Sequence, residues 1–106
     1  MICSDIREVI RHRIGLHPED DFRTEECWKQ EVDILMRDIS ETIEFIKREA
    51  TDDELYWISE VFEDVLSLSK SNDLLTALRD RVLTINDPKT RDSVEMELGF
   101  VASLLL

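Results

Sequence analysis

The chain has 106 residues, 42% of them hydrophobic and 36% charged, with only two Gly, two Pro and a formal net charge of −12. That length suits one domain able to bury about 60–70% of its unfolded surface, and the scarcity of Gly and Pro favours long helices over a turn-rich β fold. The charge excludes nucleic acid and anionic membrane as direct partners, because phosphates are repelled, and it suits a basic protein, whose approach the field accelerates.

In chain order, Ser4 or Asp5 is placed to cap a first helix reaching about Ile14, with Ile6, Val9, Ile10 and Ile14 as its buried stripe. Gly15 follows where a positive φ is cheap. His17 to Asp21 reads as an acidic loop, with Phe22 folding back onto the core. Thr24 is the next N-cap, with Glu25 and Glu26 in the first turn. Trp28, Val32, Leu35, Ile39, Ile43 and Ile46 then recur at helical spacing up to Ala50, with a break or kink expected near Asp38–Ser40. Ser69 to Asn72 is a short polar connection, and Leu74, Leu75, Leu78 and Val82 form the inward stripe of a helix from about Asn72 to Leu83. Asp87 as N-cap and Pro88 as first helical residue open a last helix running to about Leu105. Its buried positions are Val94, Leu98, Val101, Ala102 and Leu105.

The class is all-α, as about five helices in one domain spanning residues 1–106. A shift of 36 residues places Ile39 on Leu75, Ile46 on Val82, Thr51 on Asp87, Ile58 on Val94, Phe62 on Leu98 and Val65 on Val101. The expected architecture is therefore stacked antiparallel hairpins, HEAT-like or as an orthogonal bundle. Residues 5–37 form an irregular N-terminal hairpin, and residues 38–69 and 72–105 form the two repeat-like ones.

The segment from Glu49 to Ser69 organises the rest. Thr51 followed by Glu54 is a capping box, and the segment holds acids but no Lys or Arg. At 100° per residue, Leu55, Ile58, Val61, Phe62, Val65 and Leu66 share one arc, which should face the core. The opposite arc carries Asp53, Tyr56, Trp57, Glu60, Glu63 and Asp64. Two large aromatics among acids make this arc the candidate partner-binding surface, since Trp and Tyr anchor interfaces while the acids orient a cationic partner.

Catalytic and metal signals are weak by comparison. Nucleophilic catalysis by Ser or Cys needs an adjacent base, and the two histidines, His12 and His17, lie in the first helix and its loop. Glu8 with His12, and His17 with Glu19, Asp20 and Asp21, read as surface groups before metal sites. Cys3 and Cys27 lack C-x-x-C spacing and read as reduced thiols of a cytoplasmic protein. No apolar leader opens the chain, and no run approaches the about 20 apolar residues of a membrane span. No cofactor motif is present, and no enzymatic activity is expected. One enzymatic pattern merits comparison, the E-E-x-x-E and E-x-x-D carboxylates of MazG-type nucleotide pyrophosphatases. Here Lys29 stands at the third position after Glu25 and Glu26, and Glu60-x-x-Glu63 ends in Glu, so the pattern is broken where Mg²⁺ needs carboxylates.

The run from Trp57 to Asp64, Ser69 and Ser71, Arg81, and the run from Asp87 to Arg91 carry a family likeness. Through them, residues 38 to about 101 resemble the small α-helical immunity proteins of bacterial polymorphic-toxin and contact-dependent growth-inhibition systems. The resemblance implies a cytosolic inhibitor that binds the toxin domain of a cognate effector, frequently a cationic nuclease, and blocks its active site or substrate surface. A helical adaptor or regulatory subunit for a basic protein is the alternative. The apolar ending, Phe100 to Leu106, leaves self-association open.

Overall fold

The structure is a computed structural model that describes residues 2–105, with side chains described as far as Gly99. Among the described residues all regular structure is helical: α1 (Ile2–Ile14), α2 (Asp21–Met36), and α3 (Ile39–Glu44) running into a π turn (Phe45–Glu49). There follow α4 (Asp52–Ile58), continued through a 3₁₀ turn (Ser59–Val61) into α5 (Phe62–Ser69), then α6 (Asn72–Val82) and α7 (Pro88–Leu105). With α4 to α5 taken as one stretch, these are six helices where about five were expected, and the break expected near Asp38–Ser40 is present, with Asp38 capping α3.

Capping chemistry sets the boundaries. The full capping box is formed at Thr51, whose hydroxyl accepts from Glu54 N–H at 3.1 Å while Glu54 Oε1 accepts from Thr51 N–H at 2.9 Å. Asp38 and Ser71 accept from the backbone of Glu41 and Leu74, at 3.2 and 3.1 Å. Asp87 accepts from both the backbone and the hydroxyl of Thr90 ahead of Pro88.

Other starts differ from expectation. The second helix begins a turn before Thr24, because Asp20 accepts from Arg23 N–H at 3.1 Å, and an ionised carboxylate suits a helix N-terminus better than a hydroxyl. Helix α1 starts at Ile2, ahead of Ser4 and Asp5, and Glu41 of α3 accepts the Ile2 N–H at 3.1 Å. Gly15 does not use its freedom, since no glycine has positive φ. That conformation falls to Lys70, at φ 50° and ψ 32°, which closes α5 by donating its N–H to Leu66 O at 2.9 Å.

The core gathers Ile6, Leu35, Phe45, Ile46, Leu55, Ile58, Phe62, Leu66, Leu74 and Ile85, all nearly inaccessible. The whole inward arc predicted for the central segment is buried. Two expectations at the N-terminal end fail: Ile14, the last residue of α1, and Phe22, in the first turn of α2, are exposed. In α2 the buried side is Cys27, Glu31, Ile34 and Leu35, whereas Trp28 and Val32 are half-buried.

Helices α6 and α7 pack together as a hairpin would, α3 and its π turn lie chiefly on α6, and α4 and α5 lie on α7. Helix α1 packs on α2 and α4, and α2 packs on α5. The 36-residue shift still relates like positions: Thr51 and Asp87 both cap, and Ile46 with Val82, Ile58 with Val94, and Phe62 with Leu98 are all buried. The predicted inward positions Val101, Ala102 and Leu105, and the ending to Leu106, lie outside the described side chains.

Candidate partner-binding site

The predicted outward arc runs along α4, the 3₁₀ turn and α5. The Ser59 hydroxyl donates to Tyr56 O, and Val61 leaves helical geometry at φ −116° and ψ 11°. A 3₁₀ turn advances 120° per residue against 100° in an α-helix, so three residues rotate the following surface by about 60°. The six residues therefore do not form one stripe. They divide into a half tied to the body of the protein and a half open to solvent.

Trp57 and Glu60 make up the tied half. Arg13 of α1 donates to both Glu60 oxygens, Nε to Oε1 at 3.0 Å and Nη2 to Oε2 at 2.8 Å. Trp28 Nε1 donates to Glu60 Oε1 at 3.2 Å. The Arg13 guanidinium lies over the Trp57 ring at 5.2 Å from its centroid, and Trp57, half-buried, packs against the core. This cluster is a cation held between a bidentate carboxylate and an aromatic face, and it joins α1, α2 and α4 to the 3₁₀ turn.

Near it lies Glu31, 0% exposed, with neither carboxylate oxygen hydrogen-bonded. Burial above all, and then the charge of Glu60, push its pKa up to about 8, with Arg13 acting in the opposite direction. A carboxyl denied both water and a partner keeps its proton. Glu31 is therefore a neutral group at pH 7. Cys27 and Cys3 are also held toward the protonated form, mainly by burial, with Glu31 adding to the effect at Cys27 and a hydrogen bond with Glu49 at Cys3.

The open half is Asp53, Tyr56, Glu63 and Asp64. Tyr56 is 40% exposed and meets Trp57 edge-on at 5.2 Å. It lines an open cleft of about 270 Å³ between α4 and α7, together with Glu60, Ser93, Glu97 and the exposed Met96. Asp53, Glu63 and Asp64 are exposed and have no hydrogen bond or ion pair among the described residues. Asp64 belongs to a second open groove, about 370 Å³, between α2 and α5; Trp28, Val32 and Leu68 supply its apolar surface.

Some of the other acids are bonded to bases. Glu54 is bonded by Arg7 at 2.7 Å, Asp52 by Arg81 at 2.8 Å, and Asp5 by Arg37 at 2.7 Å. Arg81 and the backbone N–H of Asn86 hold Asp52 below its ordinary pKa. At Glu54 burial works to raise the pKa, but hydrogen bonds from Arg7 and Thr51 outweigh it and the net direction is down. Glu8 and His12 form a surface pair at 3.8 Å, and His17 Nδ1 accepts from Glu19 N–H at 3.1 Å. Among the described residues no three His, Cys, Asp or Glu side chains converge as a metal-ligand set, and no helix is long and apolar enough to cross a membrane.

Sequence reasoning missed Arg13, Glu31, Leu68 and Met96. A signal existed for Glu31, which stands at i+4 from Cys27 and i−4 from Leu35, a core position by helical spacing. Leu68 and Met96 are apolar residues outside their helices' inward stripes. Arg13 gave none, since its partner is 47 residues away. No protein-family model, no curated protein and no solved structure matches this chain.

Proposed function

We propose that this chain is a toxin-neutralising immunity protein of the bacterial cytoplasm. It binds a cationic toxin domain, such as a nuclease, and covers its active site or substrate surface. It acts as a binder and not as an enzyme. The observations that carry the reading are that Asp53, Glu63 and Asp64 are exposed, with side chains unpaired among the described residues, and that the ring of Tyr56 is accessible. Unpaired carboxylates on a chain of net charge −12 repel one another, and a Lys- or Arg-rich partner relieves that repulsion on docking. Tyr56 supplies area with few rotatable bonds to freeze. Glu60 contributes negative potential but is already engaged by Arg13, and Trp57 serves the body of the protein more than its surface.

The test is co-expression with the product of the neighbouring upstream reading frame, followed by calorimetry on the complex. Growth rescue is expected, with Tyr56→Ala and the Glu63→Lys/Asp64→Lys pair each weakening binding by about tenfold or more while the circular dichroism stays native. A stable complex with a neighbour that does not kill points instead to a helical adaptor. Mg²⁺-dependent nucleotide hydrolysis by the chain alone would replace the binding reading altogether.

A further inference from the structure

The groove between α2 and α5 has an unusual make-up. Its apolar surface comes from Trp28 and Val32 of α2 and from Leu68 of α5, which is 63% exposed although it is a leucine in the middle of the chain. Four charged side chains edge it: Glu25, Asp33, Asp64 and Lys29. None of them makes an ion pair or hydrogen bond among the described residues. Some acids elsewhere on this surface are bonded to arginines, as in the Glu54–Arg7 and Asp5–Arg37 pairs. Glu25, Lys29 and Asp33 stand on α2 at four-residue spacing and Asp64 on α5, so three carboxylates and one ammonium edge the apolar strip uncommitted.

We infer that this groove seats an amphipathic, Lys/Arg-rich helix of the protein partner, its apolar ridge on Trp28, Val32 and Leu68 and its cations on Glu25, Asp33 and Asp64. The inference rests on the proposed reading of the chain as a binder of cationic proteins and names the secondary structure it recognises. Two packed helices leave a furrow between them whose natural complement is the side-chain ridge of a third helix. The charge pattern selects the occupant. A second copy of this chain brings the same −12 and meets carboxylate with carboxylate, and an anionic membrane surface is repelled likewise. A cationic helix satisfies the apolar strip and the edge together. The groove also adjoins the tied cluster, because Trp28 both lines it and donates to Glu60. An occupant therefore reports directly on the Trp28 indole.

The experiment uses the full chain, ¹⁵N-labelled, with a Leu/Lys peptide of about 14 residues whose leucines fall at helical spacing. A control peptide of the same composition has Leu and Lys alternating. Titrations are followed by the indole N–H resonances of Trp28 and Trp57, the two tryptophans of the chain, at ~0.15 M salt. The helical peptide is expected to bind and shift Trp28 well ahead of Trp57. Leu68→Gln, an exposed substitution that adds no charge, should weaken it about tenfold, and Asp64→Asn should weaken it less. Equal binding of both peptides with Trp28 unmoved overturns the groove and leaves the cationic-partner reading standing. Absence of binding by either peptide overturns both. A mass that doubles with concentration, and reverts in Leu68→Gln, makes a second copy the occupant and overturns the inference.

Discussion

Replacing Glu31 by Gln should stabilise the protein by an amount that grows with pH. The folded chain holds the Glu31 proton up to about pH 8, whereas the ordinary carboxyl value is 4.5. A proton bound by the folded state and released by the unfolded one makes stability fall as pH rises. The contribution is fully present below about pH 4.5 and is lost progressively until about pH 8. Each pH unit in that window is worth about 1.4 kcal/mol, so about 3 kcal/mol is gone at pH 7 and about 4 at pH 8. A domain of this kind has about 5–15 kcal/mol of stability in all, so the effect is large. Gln occupies nearly the same volume, leaves a polar group unpaired as Glu does, and does not titrate. Urea unfolding of both proteins at whole pH steps from 5 to 9 gives the difference that Glu31 makes. The difference should rise by about 1.4 kcal/mol per unit from pH 5 to 8 and then level off. A difference that is constant with pH would show that Glu31 is ionised or solvated in the folded chain, and the reasoning would fail.

Other expectations follow from particular contacts. Glu60→Gln removes a charge that raises the Glu31 pKa, so the levelling-off should move to lower pH. It should also cost about 1–2 kcal/mol in urea melts, since the pair with Arg13 is charge-assisted but 18% and 25% exposed at its two side chains. Lys70→Gly should raise stability by about 1 kcal/mol, because Lys70 holds φ 50°, a region that glycine enters without strain; a lower melting temperature would contradict this. Thr51→Ala should cost about 1 kcal/mol by removing one arm of the capping box. On the acid side, Asp52 is held below 3.8 by Arg81, so its contribution is present at neutral pH and lost as pH falls through its folded pKa. Arg81→Gln should therefore move the acid unfolding midpoint, followed by circular dichroism, to higher pH.

Much of the fold was legible locally. Caps at Thr51 and Asp87 and the inward arc from Leu55 to Leu66 could be read because a cap needs partners only three residues away and a stripe needs only the helical period. The site was legible in part: Tyr56, Asp53, Glu63 and Asp64 do face solvent. Trp57 is half-buried, and Glu60, although exposed, is bonded by an arginine that no short-range rule connects to it. The side of α2 that is buried was misjudged by one residue of phase, and with it the place of Glu31.

The amino-acid sequence alone determined that this chain is helical, strongly anionic and capped at named positions, since those properties belong to single residues or to neighbours within one turn. Tertiary structure decided which polar groups go inside and which apolar ones stay out. Arg13 reaches Glu60 across 47 residues, Glu31 is sealed without a partner, and Trp28, Val32 and Leu68 meet across two helices to form a groove. Each of these depends on which helix lies opposite, and the period of a single helix does not contain that information.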